Sequence, residues 1–512
     1  MNTSPTRKSF FALARKTLAV RGSFFPKKKL ILVGVMHMPH HQIAFAHLVK
    51  ALSVIRPSGV RAFSDPDNTR MNRQQVLLRK LRYVLASHTG SPTESTYRLM
   101  GATSLIYPYL QDSHSRRSQQ VVEDFFRDNP SKSSLEDLRI GGVLVGDLIY
   151  DDYLKKVDGT LDMADPRFRE HFFDSIRLVF WWIDFFDQHE VSAVVCNSVY
   201  RLAIVGRIGL KYGCDVFDAQ LGRIVRLRGD GNQFDDYREF REVFAGLEGK
   251  PKKLAEGQAA IDKKLQGEAD SATFHIDAPG GVVSDQRVLG SSERRKILIA
   301  PHCFSDSAHS FGKMLFPDFH EWLRFLANIV KHSSDDWYLK PHPRGLTDLD
   351  VIKELFSECS NLVFLPHDAS LGQIAKEGLA LALTMRGHVA IDLPLMGVPV
   401  VTCTEGSRYR DYSFAINASS VDEYRALLSD LDWLPYTIDV DELREFYFMD
   451  NKFFHPNVLM PDFLGAGRKL KGESPQAIFD EFARQTGPEY VRETIRQLVL
   501  FVKSQKLRFR RI

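Results

Sequence analysis

Between residues 379 and 402 one pattern constrains the fold more than any other. The apolar run Leu379-Ala380-Leu381-Ala382-Leu383 breaks at Thr384-Met385-Arg386-Gly387 and is followed by a short helical stretch opening near His388. Gly397 stops that stretch, and a second apolar run follows from Val398 to Thr402. Continuous apolar runs, as opposed to alternating ones, belong to strands buried on both faces, the condition of parallel sheets covered by helices. A glycine turn feeding a helix start is also an anion site, because free N–H groups and the positive end of the helix face the ligand. Asp392, one turn after His388, shares its face and could accept from sugar hydroxyls. The same wiring serves any α/β unit, so the element gains meaning only beside a second one.

That second element is Trp337-Tyr338-Leu339-Lys340-Pro341-His342-Pro343-Arg344-Gly345. A short strand ends at two prolines, which hold Lys340 and His342 out of helical geometry. Lys340, His342 and Arg344 on one stiff loop at a strand's C-terminal end suit a phosphate ester, the usual ligand position in open α/β sheets. Taken alone the loop reads equally as a proline-rich turn with solvated charges. Both elements in one sheet favour a nucleotide monophosphate or diphosphate site, with Thr384, Arg386, Gly387 and His388 on its other side.

The strand-and-helix rhythm starts at Leu30-Ile31-Leu32-Val33-Gly34-Val35, followed by a helix from His40 to Ile55. The spacing predicts helical insertions over 60–140, a helix over Glu170–Phe186, a strand at Ala193–Cys196 and a helix over Tyr200–Tyr212. Gly206 and Gly209 lower helix propensity there but permit a close backbone approach. Lys250–Ala269 reads as a charged helix, Thr273–Ser292 as an interdomain linker and Arg295–Pro301 as the first strand of a second domain. The stretches Val421–Leu434, Asp439–Tyr447 and Ser474–Lys506 read as helices. The expected divisions are a basic segment at 1–29, a first domain at 30–290, a second at 291–465 and terminal helices with a basic tail at 466–512.

A chain of 512 residues exceeds one ordinary core, and 44% hydrophobic with 26% charged residues is the composition of a folded globular protein. A net charge of +4 gives no reason to expect nucleic acid. Five cysteines, odd in number and without metal-ligand spacing, suit a reducing, cytoplasmic compartment. Residues 1–29 and the tail Lys503–Arg511 are basic with interleaved apolar residues, too interrupted to span a bilayer. Such ends are expected either to be solvated or to rest on an anionic membrane surface, which would suit a lipid-carried acceptor.

Lys340-Pro341-His342-Pro343, the Thr384–Gly387 turn and Gly397-Val398-Pro399-Val400 together resemble the bacterial capsule and surface polysaccharide biosynthesis proteins. Three further passages fit: Gly146-Asp147-Leu148-Ile149-Tyr150-Asp151; Ser198-Val199-Tyr200 through Gly206-Arg207 to Tyr212-Gly213; and His302 through Phe311 into Phe316–Trp322. The resemblance covers roughly residues 140 to 405. It implies an α/β, GT-B-like glycosyltransferase with two Rossmann-like parallel-sheet domains facing a cleft and added terminal helices. Its relatives in layout are the sialyl- and Kdo-transferases, which use CMP-sugars. It further implies donor-phosphate contacts at His342 and Thr384. Where many relatives place serines in the turn, this chain has Thr384-Met385-Arg386.

The candidate chemistry follows. His302, Asp306 and His309 stand within eight residues on the loop after the second domain's first strand. An imidazole near a carboxylate can shuttle a proton or steady a leaving phosphate, although such residues also serve as plain loop polars. Asp147 and Asp151 flank Tyr150, where a carboxylate could take the acceptor's proton; an ordinary helix cap is the plain reading of Asp147. Tyr200 and Arg207, seven residues apart on one helix face, could meet acceptor or donor, or simply pack. The expected partners are a nucleotide-sugar donor and a glycan or lipid-linked glycan acceptor, with no cofactor and no metal, since no Asp-x-Asp motif follows a suitable strand. The competing readings are a nucleotide-sugar epimerase, a polyol-phosphate polymerase and a non-catalytic subunit of a polysaccharide assembly complex.

Overall fold

The computed structural model describes residues 5–20, 29–64, 73–89, 92–108, 112–157, 159–266, 281–342, 348–455, 457–470 and 474–511. Apolar runs become strands in chain order: β1 (Lys29–Gly34), β2 (Gly59–Phe63), β3 (Leu105–Ile106), the hairpin β4 (Arg139–Ile140) and β5 (Val143–Leu144), β6 (Glu190–Val195), β7 (Asp215–Gln220) and β8 (Arg223–Leu227). A second series follows: β9 (Lys296–Ile299), β10 (Asp336–Leu339), β11 (Leu362–Phe364), β12 (Leu379–Leu383), β13 (Val400–Thr402) and β14 (Ile416–Asn417).

They form two six-stranded sheets, ordered β3-β2-β1-β6-β7-β8 and β11-β10-β9-β12-β13-β14. Both orders are the Rossmann order, in which the chain starts centrally, winds to one edge, then returns and winds to the other. The second sheet is parallel throughout; in the first, β8 alone runs antiparallel, to β7. The α/β class with two Rossmann-like sheets and added terminal helices, expected from the sequence, is therefore what the chain forms.

The chain divides into two compact units. The first comprises residues 1–149, 163–236 and 454–512; the second comprises 150–162 and 237–453. Helix Lys250–Leu265, which the sequence placed before the expected boundary at 290, groups with the second unit. Helix Lys250–Leu265 lies against helix Val440–Phe448 so closely that a Cβ on Gly257 would meet the Arg444 carbonyl oxygen at 2.0 Å. The charged helix thus belongs to the second core, and the part of the expected linker before residue 281 lies outside the described residues.

In the first unit Gly206 and Gly209 do the close packing their spacing allowed. A Cβ on Gly209 would come within 2.9 Å of Val194 Cγ2, and one on Gly206 within 3.0 Å of Cys196 Sγ. The termini are folded in. On helix Pro5–Thr17, Phe10 and Ala14 are fully buried, and the Phe10 ring sits 4.6 Å from that of Phe479 on helix Pro475–Gln485. At the other end Leu507 and Phe509 are buried and the tail pairs with β8, Arg226 N–H donating to Leu507 and Phe509 N–H to Ile224. Phe10, Leu507 and Phe509, which the sequence left either solvated or resting on an anionic surface, are buried in the core. Among the described residues no helix is long and apolar enough to cross a membrane.

Candidate anion site at the strand-order switch of the second unit

In a doubly wound sheet, ligands bind beyond the carboxyl ends of the strands, where the strand order reverses. In the second unit that point lies between β9 and β12. Backbone bonds carry the ladder past the strand ends: Lys340 N–H donates to Ile299, Ala300 N–H to Leu383 and Thr384 N–H to Val401. The loops bearing His302, His342 and Thr384 therefore leave the sheet side by side.

Arg386 is the centre of the site. It is 8% exposed, its guanidinium carbon lies 3.8 Å from the centroid of Phe311, and Nη2 donates to the carbonyl of Asp306 at 2.7 Å. Ser307 stands at φ +37°, a left-handed turn that also brings its own carbonyl within 3.4 Å of Nη2. Burial pushes the Arg386 pKa down to about 10, against the opposing pull of Asp306 and Asp151, so the group stays charged at neutral pH. Its Nη1 is buried without a hydrogen-bond partner. An unmet buried donor on a charged group costs about 1–3 kcal/mol or more, a cost that an incoming anion would remove.

His302 is buried and stacked on Phe319, with ring centroids 4.6 Å apart. Burial first, then the positive surroundings of Arg386, His342 and Arg408, hold its pKa well below the ordinary histidine value. The neutral ring accepts from Arg386 N–H through Nε2 at 3.3 Å, which places its proton on Nδ1. His342 lies across the crevice, with Nδ1 3.3 Å from Cys303 Sγ. The Thr384 hydroxyl accepts from Gly387 N–H at 3.3 Å, and a Cβ on Gly387 would stand 2.8 Å from that oxygen, so the tight turn needs glycine.

The sequence did not single out the loop after β13, yet it supplies three polar residues. Ser407 is 4% and Tyr409 1% exposed, and each hydroxyl is buried without a partner; Arg408 acts electrostatically on both His302 and Arg386. The available signal was Gly406. A Cβ there would meet the Phe311 carbonyl oxygen at 2.0 Å, so this glycine lets the loop close onto the Arg386 platform.

Other expected site residues are engaged elsewhere. Lys340 donates to the His367 carbonyl at 2.7 Å, on the β11 side of β10, and its pKa is lowered by burial. Asp392 is buried with Lys264 Nζ at 3.6 Å, where the sequence suggested sugar hydroxyls. The helix opening at His388 covers only Val389–Asp392, too short for a sizeable dipole, so side chains and the turn must do most of any anion binding. Asp306 offers Arg386 its backbone carbonyl, and its side chain is exposed. Arg344 lies outside the described residues.

Asp151 and His309 form a buried pair. Nδ1 of His309 donates to Asp151 Oδ1 at 2.6 Å and Nε2 to the Pro317 carbonyl at 2.5 Å. Beside it Tyr150 is fully buried, stacked 4.5 Å from the His309 ring, and its hydroxyl donates to Asp318 at 2.6 Å. Asp318 in turn caps helix Phe319–His332 through Glu321 N–H. This network anchors residues 150–162 within the second unit; it leaves His309 no free ring nitrogen and Tyr150 no exposed hydroxyl.

In the first unit Asp147 and Arg207 pair with each other at 2.5 Å, both nearly inaccessible, and Arg207 also donates to the Leu144 carbonyl. Tyr200 is half-buried at φ +57°, ψ −166°, a conformation rarely taken by a residue with a side chain. It follows β6 at the strand-order switch of the first sheet. There His41 donates to the Ala219 carbonyl at 2.8 Å, and burial brings His40 down to about 3. Among the described residues no group of three or more His, Cys, Asp or Glu is placed to hold a metal ion.

No protein-family model matches the chain, and no curated protein matches it. Among solved structures, the beta Kdo 2,4 transferase KpsC of Thermosulfurimonas dismutans is similar at 10% identity, covering 52% of this chain and 85% of its own, with a TM-score of 0.33. The beta Kdo 2,7 transferase KpsC of the same organism is similar at 13% identity, over 58% and 85%, with a TM-score of 0.32. A UDP-GlcNAc 2-epimerase of Neisseria meningitidis bound to UDP-GlcNAc is similar at 10% identity, over 93% and 100%, with a TM-score of 0.22. The fold assignment rests on the strand orders above and not on these likenesses.

Proposed function

We propose that this chain is a glycosyltransferase that seats a nucleotide-activated sugar in the second unit and transfers the sugar to a surface polysaccharide or glycolipid. The observation that supports it is the buried, unpartnered Nη1 of Arg386 at the strand-order switch, with His302, His342, Arg408 and the Thr384–Gly387 turn around it. Burial disfavours the charged forms of Arg386 and His302, so a site of this kind is stable only if an anion completes it or if its cost is met by the rest of the fold. Positive groups fixed where charge develops on a departing nucleotide phosphate would lower the barrier to transfer.

A CMP-linked acidic sugar such as Kdo is the favoured donor, from the sequence resemblance. The first unit would present the acceptor near the loops after β1 and β6, around His40 and Tyr200. No proton transfer is assigned to Asp147 or Asp151, whose carboxylates are taken by Arg207 and His309.

Incubation of the protein with labelled nucleotide-sugars, with and without a glycan or glycolipid acceptor, tests this reading. Label transferred only when acceptor is present supports it. Release or isomerisation of sugar without acceptor would replace it with an epimerase, and no turnover under either condition would favour a non-catalytic subunit.

A further inference from the structure

Helix Arg73–Thr89 in the first unit has two apolar faces, and among the described residues only one is buried. Val76 and Tyr83, seven residues apart and on one side, are 5% and 6% exposed; the Tyr83 hydroxyl donates to the Ala102 carbonyl at 3.0 Å. Roughly opposite, Leu77, Leu78, Leu81 and Leu85 are 58%, 53%, 50% and 63% exposed. Four leucines on consecutive turns form a ridge, and contiguous exposed apolar ridges mark interaction surfaces where scattered single residues do not.

The flanking charges identify the partner. Lys80 borders the ridge on one side and Arg82 on the other, with Arg79 further round, where its guanidinium lies over the Tyr107 ring at 5.2 Å. From Arg73 to Thr89 the helix contains no acidic residue. Among the described residues, Glu94 on the next helix acts on Tyr83, on the covered side. An apolar ridge between cationic borders is the arrangement of a helix lying in a lipid interface, its leucines among acyl chains and its ammonium and guanidinium groups level with phosphates.

We propose that this face docks the protein on an anionic lipid surface. Phe10, Leu18, Leu507 and Phe509, near the two chain ends, are buried in the core, whereas the four leucines of this helix are exposed. The inference does not depend on the identity of the donor.

Sedimentation with extruded vesicles of phosphatidylcholine, with and without phosphatidylglycerol, tests it. The wild-type chain is expected to bind the mixed vesicles, and less so at high salt. A triple variant, Leu77→Gln with Leu81→Gln and Leu85→Gln, is expected to lose roughly tenfold or more of that binding. Lys80→Glu with Arg82→Glu is expected to lose roughly fivefold or more per charge. Because all five side chains are exposed, thermal melts should be unchanged and will separate lost docking from lost folding. No binding to mixed vesicles, or equal binding by the leucine variant, overturns the proposal. So does a fall in molar mass of the leucine variant measured by light scattering, which would assign the ridge to a second copy of the chain.

Discussion

Asp151 and His309 are 158 positions apart in sequence, yet their side chains meet at 2.6 Å with almost no exposure on either. Both nitrogens of His309 lie within hydrogen-bond distance of oxygen atoms, one on Asp151 and one on Pro317. The buried pair satisfies both side chains, and removing one member leaves a polar atom of the other unmet. Asp151→Ala should destabilise the second unit by about 1–3 kcal/mol, read as a lower urea midpoint. A loss of activity at unchanged midpoint would instead assign Asp151 to chemistry.

His47 gives the chain a defined acid sensitivity. It is fully buried, its Nδ1 donates to the Ile43 carbonyl at 2.8 Å, and Nε2 has no partner. Burial first, and Arg511 after it, bring its pKa down to about 4. The unfolded chain binds this proton near the ordinary value of about 6.5 while the folded chain does not. Its contribution to stability is thus complete above that pH and is lost as pH falls toward 4, by up to roughly 1.4 kcal/mol per pH unit. Urea midpoints at pH 7.5 and 5.5 should diverge less in His47→Leu than in wild type.

The Thr384–Gly387 turn leaves no room for a methyl group, since a Cβ on Gly387 would stand 2.8 Å from the threonine oxygen. Gly387→Ala should shift that hydroxyl or open the turn, costing about 1–3 kcal/mol of stability. Titration calorimetry with the best nucleotide should show weaker binding in this variant; unchanged affinity would separate the turn from the ligand.

Arg386 combines charge with a planar face stacked on Phe311, and lysine reproduces only the first. Arg386→Lys should fold but bind nucleotide roughly tenfold more weakly or worse. An affinity equal to wild type would reduce Arg386 to a packing residue.

How much of this was legible in sequence follows from what leaves a local pattern. Strands β9, β10 and β12 read plainly because strands buried on both faces are unbroken apolar runs. The loops after them could be nominated because proline and glycine punctuate strand ends, which is how His302, His342 and Thr384 became candidates. Asp151 and His309 looked like a base and a shuttle because no local pattern records a partner 158 residues away. Ser407 and Tyr409 stayed hidden because a loop has no period; only Gly406, required by its approach to Phe311, marked the place. Helix Lys250–Leu265 reads in sequence as a solvated charged helix, and its close contact with Arg444 leaves only a single glycine as a local mark.

The crevice between β9 and β12 is the proposed seat of a nucleotide phosphate. A thermal-shift titration of CMP, CDP, UDP and GDP against wild type, His342→Ala and Arg386→Lys tests it most directly. A ligand bound only by the folded state adds about 2.7 kcal/mol at a hundredfold excess over its Kd. One nucleotide is expected to raise the Tm in a concentration-dependent way, and both variants to lose most of the rise. No shift with any nucleotide, or an equal shift in all three proteins, would contradict it.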